Sequence, residues 1–168
     1  MRYFVMALVA SLSLTACAKQ EISMNSRIVS STMVYSSLAA EIVQKNIQGE
    51  AKTCLLQADG MQLAQPMQKI LSKILEAQEL KTIDELYAKN GLDQRVLAFT
   101  KDYMFAVVNK QPNLPKLSQQ DAQQLAEINN HPITAKFTEN APQKEMNKLI
   151  EKMLKAENER CHIADDGK

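Results

Sequence analysis

The groups in this 168-residue chain that could do chemistry are few: Cys17, Cys54 and Cys161, and the imidazoles of His131 and His162. A thiolate can attack a carbon electrophile, pair with a second thiol, or bind a soft metal. No CxxC, HxxxH or HExxH brings such groups together along the chain. Cys161-His162 offers two ligands where a metal site needs three or four. His131 precedes Pro132, and no carboxylate or nucleophile stands at a recognisable spacing to make it a general base. It is expected to cap a helix end. Ser30-Ser31 and Ser36-Ser37 lack a His or Lys partner at motif spacing, and Asp165-Asp166 is expected to be solvated. There is no GxSxG, P-loop or GxGxxG. Met24, Met33, Met61, Met67, Met104, Met146 and Met153 are scattered, mostly on apolar faces. They read as adaptable core filler rather than a copper or silver site. The expectation is no catalytic residue, no metal and no cofactor.

The elements that would position these groups are constrained by composition. The net charge is +1, 23% of residues are charged, and Gly and Pro number four and five. One domain fits this length. Charge near balance gives no basic excess for nucleic acid. Few Gly argue against the many tight turns of a barrel or sandwich.

Residues 1–16 read as a signal peptide. Arg2 supplies the positive end, and Phe4 to Leu14 is mostly apolar but shorter than the roughly 20 residues of a spanning helix. Leu14-Thr15-Ala16-Cys17 resembles the lipobox of bacterial lipoproteins. In that family the Cys sulfur takes a diacylglyceryl group, the chain is cut before it, and the new amine is acylated, with palmitate as a typical chain. The resemblance implies lipidation at Cys17 and attachment to a membrane. Two or three chains, at about 0.8 kcal/mol per buried CH₂, make such attachment stable. The resemblance to Gram-negative lipoproteins also implies a sorting rule, by which Ala18-Lys19 after the Cys, rather than Asp, favours the outer membrane, facing the periplasm. Removing residues 1–16 takes away Arg2 and no acid, so the mature side-chain charge is zero. Residues 17–25 then form a lipidated tether.

With Cys17 lipidated, Cys54 and Cys161 remain in an oxidising compartment. The simplest reading is a structural disulfide. Free thiols or a redox pair are the alternatives. Closing a loop of about 107 residues would cost the unfolded chain roughly 4–5 kcal/mol.

From residue 26 to 162 the pattern is helical. Ile28, Tyr35 and Ile42 recur every seven residues with Leu38, Ala39 and Val43 between them, which predicts one long helix ending near Gly49 as its C′ residue. A helix bearing Cys54, Leu55 and Ala58 follows, broken near Asp59-Gly60. Pro66 opens one with Met67, Ile70, Leu71, Ile74 and Leu75. Thr82 is expected to cap the next, which holds Ile83, Leu86 and Tyr87 and stops at Asn90-Gly91. Val96, Leu97, Phe99, Tyr103, Ala106 and Val107 mark another. Pro112 and Pro115 make a linker. Ser118 to Asp121 has the form of a capping box. A last helix from Ala141-Pro142 carries Met146, Leu149, Ile150, Met153 and Leu154, and residues 163–168 read as a flexible tail. No segment alternates with period two. The fold expected is all-α, a compact helical bundle or array of six to eight segments.

Ser118, Asp121, Leu125, Pro132 and Lys136, within Leu117 to Phe137, resemble a family of exported bacterial proteins catalogued as domain of unknown function 2059. Asn129, His131 and Thr134 stand where that family has an aromatic, a Ser and a Gly. The resemblance implies an all-helical periplasmic domain and no assigned activity. Read from its residues alone, this stretch is a helix–Pro–helix corner with Leu125, Ile128 and Phe137 buried in it.

These readings point to a non-enzymatic, lipid-anchored envelope protein that binds a protein partner or supports envelope assembly. One alternative is a carrier with a Met- and Leu-lined groove for a small apolar ligand or lipid. A hydrolase of envelope polymer is a third class. It would need a carboxylate pair or a His-assisted nucleophile assembled in space.

Overall fold

Ile28, Leu38 and Ile42 share one face at helical spacing, and that face organises the molecule. A computed structural model describes residues 21–164. The lipobox, Cys17 and residues 18–20 of the tether, and residues 165–168, lie outside the described residues. Eight α-helices and one 3₁₀ turn follow in order: α1 (Met24–Gln44), α2 (Gly49–Leu55), α3 (Ala64–Ile74), α4 (Ala77–Ala88), the 3₁₀ turn (Lys89–Gly91), α5 (Leu92–Val108), α6 (Gln119–Asn129), α7 (Pro132–Asn140) and α8 (Gln143–Arg160). No strand occurs among the described residues. The fold is all-α, as the periodicity predicts.

The long helix α1 packs mainly against α5 and α3 and touches α4 and α8. Ile28 clusters with Leu92 and Val96 at the start of α5, while Leu38 and Ile42 cluster with Val108 at its end. The two helices therefore run in the same direction. The main core joins α1 to Leu55, Met67, Ile70, Val108 and Met153, and α8 lays Met146, Leu149, Ile150 and Leu154 over it. Ile83, Tyr87, Leu92, Val96 and Ile128 form a second core with Ile28. Leu71, Leu75 and Leu80 form a third where α3 turns into α4.

Several boundaries differ from the sequence expectation. The first helix starts at Met24, with Ser23 as N-cap accepting from Ser26 N, so part of the expected tether is folded. It ends at Gln44 rather than near Gly49. Asn46, at φ 48, takes the left-handed position. Its N–H donates to the Val43 carbonyl, and Ile47 N–H to that of Ile42 at 2.9 Å. This is a Schellman end, and it closes early because Ile47 can bury behind it. Val43 is then left 60% exposed, off the stripe.

Thr82 is not a cap. It sits inside α4 and its Oγ1 donates to Gln78 O at 2.9 Å. The start belongs to a reciprocal box in which the Glu76 carboxylate accepts from the backbone of Glu79 and Glu79 Oε2 accepts from Glu76 N. Phe137 does not fill the corner between α6 and α7. It packs half-buried against the main and third cores, while Leu125, Ile128 and Ile133 form the corner side of the second. At the C-terminus His162 (φ 55) and Ile163 close a second Schellman end, with His162 N–H to Glu159 O and Ile163 N–H to Asn158 O. Ile163 rests on the main core, so the packed structure runs past 162 into the expected tail.

Candidate functional site

The two cysteines expected to pair are joined. The Cys54–Cys161 disulfide has a Cα–Cα separation of 5.6 Å and ties α2 to the C-cap of α8 across 107 residues. Cys161 is buried. Arg160 reinforces the same junction, donating from Nη2 to Cys54 O at 2.8 Å and to Glu157 at 2.6 Å. Asn158 Nδ2 donates to Glu41 Oε1 one turn earlier. Hydrogen bonds from Lys45 and Asn158 outweigh burial at Glu41 and hold its carboxyl below the usual range. At the other end of α8, Lys73 meets Glu145 at 3.0 Å.

The opposite end of α1 carries a polar cluster that spacing alone did not reveal. Ser23, Ser26 and Ser30 lie on a buried face with Gln68 of α3. Gln68 Oε1 accepts from Ser23 N at 2.9 Å and from Ser26 Oγ at 2.7 Å. Ser30 Oγ donates to Gly60 O and accepts from Leu63 N. Ser30 and Ser31 are hydroxyls on a helix whose apolar stripe runs through Ile28, Tyr35 and Ile42, so the pattern alone puts them on its polar side. Both are buried instead, because the 56–63 turn folds over α1 and supplies backbone partners for Ser30. The signal available in the sequence was the 23, 26, 30 spacing, which repeats the helical period in small hydroxyls.

Asp84 of α4 completes this end. Its Oδ1 accepts from Asn25 N at 2.9 Å, so a carboxylate caps the first turn of α1, where the helix dipole favours a negative charge. Burial pushes the Asp84 carboxyl up, against the lowering effect of backbone bonds from Asn25 and Met24 and of Arg27. Beside it runs a groove of 510 Å³ lined by Glu21, Arg27, Leu80, Lys81, Asp84 and Glu85, among others. Its walls mix both charge signs with apolar side chains.

The residues of the α6–α7 resemblance have structural partners. Ser118 Oγ caps α6 through Asp121 N at 3.1 Å. The Asp121 carboxylate also accepts a hydrogen bond from the Ser118 side chain. It takes a forked pair of bonds from Arg95 Nε and Nη2, the latter at 2.6 Å. Arg95 also donates to the carbonyls of Asn90 and Gly91. Lys136 pairs with Glu79 at 2.7 Å, joining α7 to the start of α4. His131 is the N-cap of α7, its Nδ1 accepting from Ile133 N at 3.3 Å. The capping role expected for it holds.

His131 and His162 lie at separate helix ends, and no cluster of three or more His, Cys, Asp or Glu fit to hold a metal forms among the described residues. Met67 and Met153 are core residues, and Met24, Met33, Met104 and Met146 pack half-buried on the cores. No helix among the described residues is long and apolar enough to cross a membrane. Compared with family models, curated proteins and solved structures, the chain has no match. Its described residues form a disulfide-closed, all-α domain organised around one long helix.

Proposed function

We propose that this is an envelope lipoprotein acylated at Cys17, with a non-enzymatic helical domain that binds a protein partner or supports envelope assembly. The observation that carries the reading is the pairing of Cys54 with Cys161, which leaves Cys17, behind its apolar leader, as the remaining thiol. A disulfide fits an exported, oxidising setting. Ala18-Lys19 favours the outer membrane.

Partner binding draws its support from α5. Phe99 and Tyr103 meet with ring centroids 5.6 Å apart and planes tilted by 39°, remain partly exposed, and belong to none of the three cores. Half-exposed aromatics are preferred anchors in protein interfaces. The carrier reading draws less support, because Leu38, Leu55, Met67, Ile70 and Leu71 fill the space between the helices.

The test is metabolic labelling with palmitate in the native host. Label in the wild-type protein, absent in Cys17→Ser, together with a mature chain beginning at residue 17, is the expected result. An unlabelled mature chain would overturn the reading.

A further inference from the structure

We propose that the groove at the start of α1 is a docking site for the headgroup of an aminophospholipid, the phosphoethanolamine group of the bilayer that holds the anchor. The inference rests on acylation at Cys17 for its geometry. Four residue steps separate Cys17 from Glu21, so even a fully extended tether spans only about 14 Å. The end of the domain bearing Glu21 is therefore held within reach of the headgroup layer. The far ends of α1, α5 and α8 have no such constraint.

The groove that lies at this end has the chemistry of a zwitterion site. Arg27 and Lys81 supply cations for a phosphodiester, and Arg is suited to gripping it with two parallel N–H bonds. Glu21 and Glu85 supply carboxylates for a primary ammonium. Asp84 does not compete for that role, because its carboxylate is engaged by the first turn of α1. Leu80 and Met24 give the groove an apolar side on which the glycerol end can rest. The volume of 510 Å³ lies within the range of about 300–1,000 Å³ for small-ligand sites. Lys81 and Glu85 meet only loosely, at 3.8 Å with both side chains about two-thirds exposed. Each can turn to a ligand at little cost.

A trimethylated headgroup has the same phosphate and charge but no N–H to donate to Glu21 and Glu85. Choline lipids are thus the discriminating control. The experiment is flotation of the full mature chain carrying Cys17→Ser, so that no acyl chain contributes. It is mixed with phosphatidylcholine vesicles and with vesicles in which half of that lipid is replaced by phosphatidylethanolamine. The expected result is at least fivefold more protein floating with the ethanolamine vesicles, and loss of that excess in Arg27→Ala/Lys81→Ala. Circular dichroism and the urea midpoint confirm that this surface variant is folded. Equal flotation with both vesicles, no flotation with either, or an excess untouched by the double variant would overturn the proposal. Because the chain tested is unacylated, its result is independent of palmitate labelling. Label without a flotation difference removes the groove and leaves the anchor. A flotation difference without label removes the anchor and leaves headgroup binding.

Discussion

Ser30 on α1 donates its hydroxyl hydrogen to the Gly60 carbonyl at 2.7 Å, and the same oxygen accepts from Leu63 N at 3.1 Å. One buried side chain thus fastens the turn between α2 and α3 to the central helix. Gly60 must be small for this to work, since a Cβ there would meet Tyr35 Cε2 at 2.7 Å. Both sides of the contact give a prediction. Ser30→Ala leaves a buried carbonyl and amide unpaired and should cost about 1–3 kcal/mol in urea unfolding. Gly60→Ala should cost a similar amount, about 1–3 kcal/mol, through overpacking against the Tyr35 ring. Gly60→Ala combined with Tyr35→Leu should recover part of that loss. Independent, additive costs in that cycle would count against the clash.

Removing the Cys54–Cys161 bond releases the loop entropy of the unfolded chain. The Cys54→Ala/Cys161→Ala variant is expected to lose up to about 4.7 kcal/mol, the figure for a loop near 100 residues. Thermal unfolding measures it, and thiol titration of the denatured wild-type chain should find neither cysteine reactive before reduction.

Among the described residues, Asn46, Asn90, Lys110 and His162 are left-handed without being Gly, and three of them, Asn46, Lys110 and His162, close a helix as a Schellman end. Lys110 N–H donates to Val107 O and Gln111 N–H to Ala106 O, so α5 ends as α1 and α8 do. An L side chain pays roughly 1–2 kcal/mol in that conformation, and Asn pays least. Lys110→Gly and His162→Gly should each raise stability by about 0.5–1 kcal/mol after the entropy cost of Gly. Asn46→Gly should change it less. A loss of unfolding midpoint in both Lys110→Gly and His162→Gly would contradict the assignment.

Hydrogen bonds from Arg95 hold the Asp121 carboxyl below its ordinary range, and Lys136 does the same for Glu79. A carboxylate with a lowered folded value contributes stability that is complete above its unfolded value of about 4 and lost as pH falls through the folded one. Asp84 has the opposite sign. Burial raises it, so stability falls as pH rises from about 4 through its folded value. Urea midpoints should therefore drop below pH 4 in the wild type. They should drop less steeply there in Asp121→Asn. Asp84→Asn keeps an acceptor for Asn25 N and should be more stable than wild type well above pH 4. An identical profile for all three proteins would refute this assignment.

Helix type was legible in this chain wherever an apolar stripe was long. Ile28, Tyr35 and Ile42 marked α1, and Met67, Ile70 and Leu71 marked α3, because burial repeats with the helical period. Ends were less legible. Thr82 looked like a cap because Thr commonly is one, whereas Glu76 and Glu79, both ordinary helix residues, do the capping. Val43 sits beside Ile42 on the same turn, and only the early closure at Asn46 left it outside. The disulfide could be reached once Cys17 was set aside. The polar cluster at the start of α1 could not, because Ser26 and Gln68 are 42 residues apart and nothing in either neighbourhood names the other.

The Cys54–Cys161 bond also decides how the molecule bears tension. A pull between its N-terminal end and anything gripping Ile163 crosses from Cys54 to Cys161 through sulfur, and the 107 steps between them stay off the load path. That withholds about 350 Å of extensible backbone. Tension still runs along α1, so α3 and α5 meet it through the face they pack against that helix and not along their own backbone.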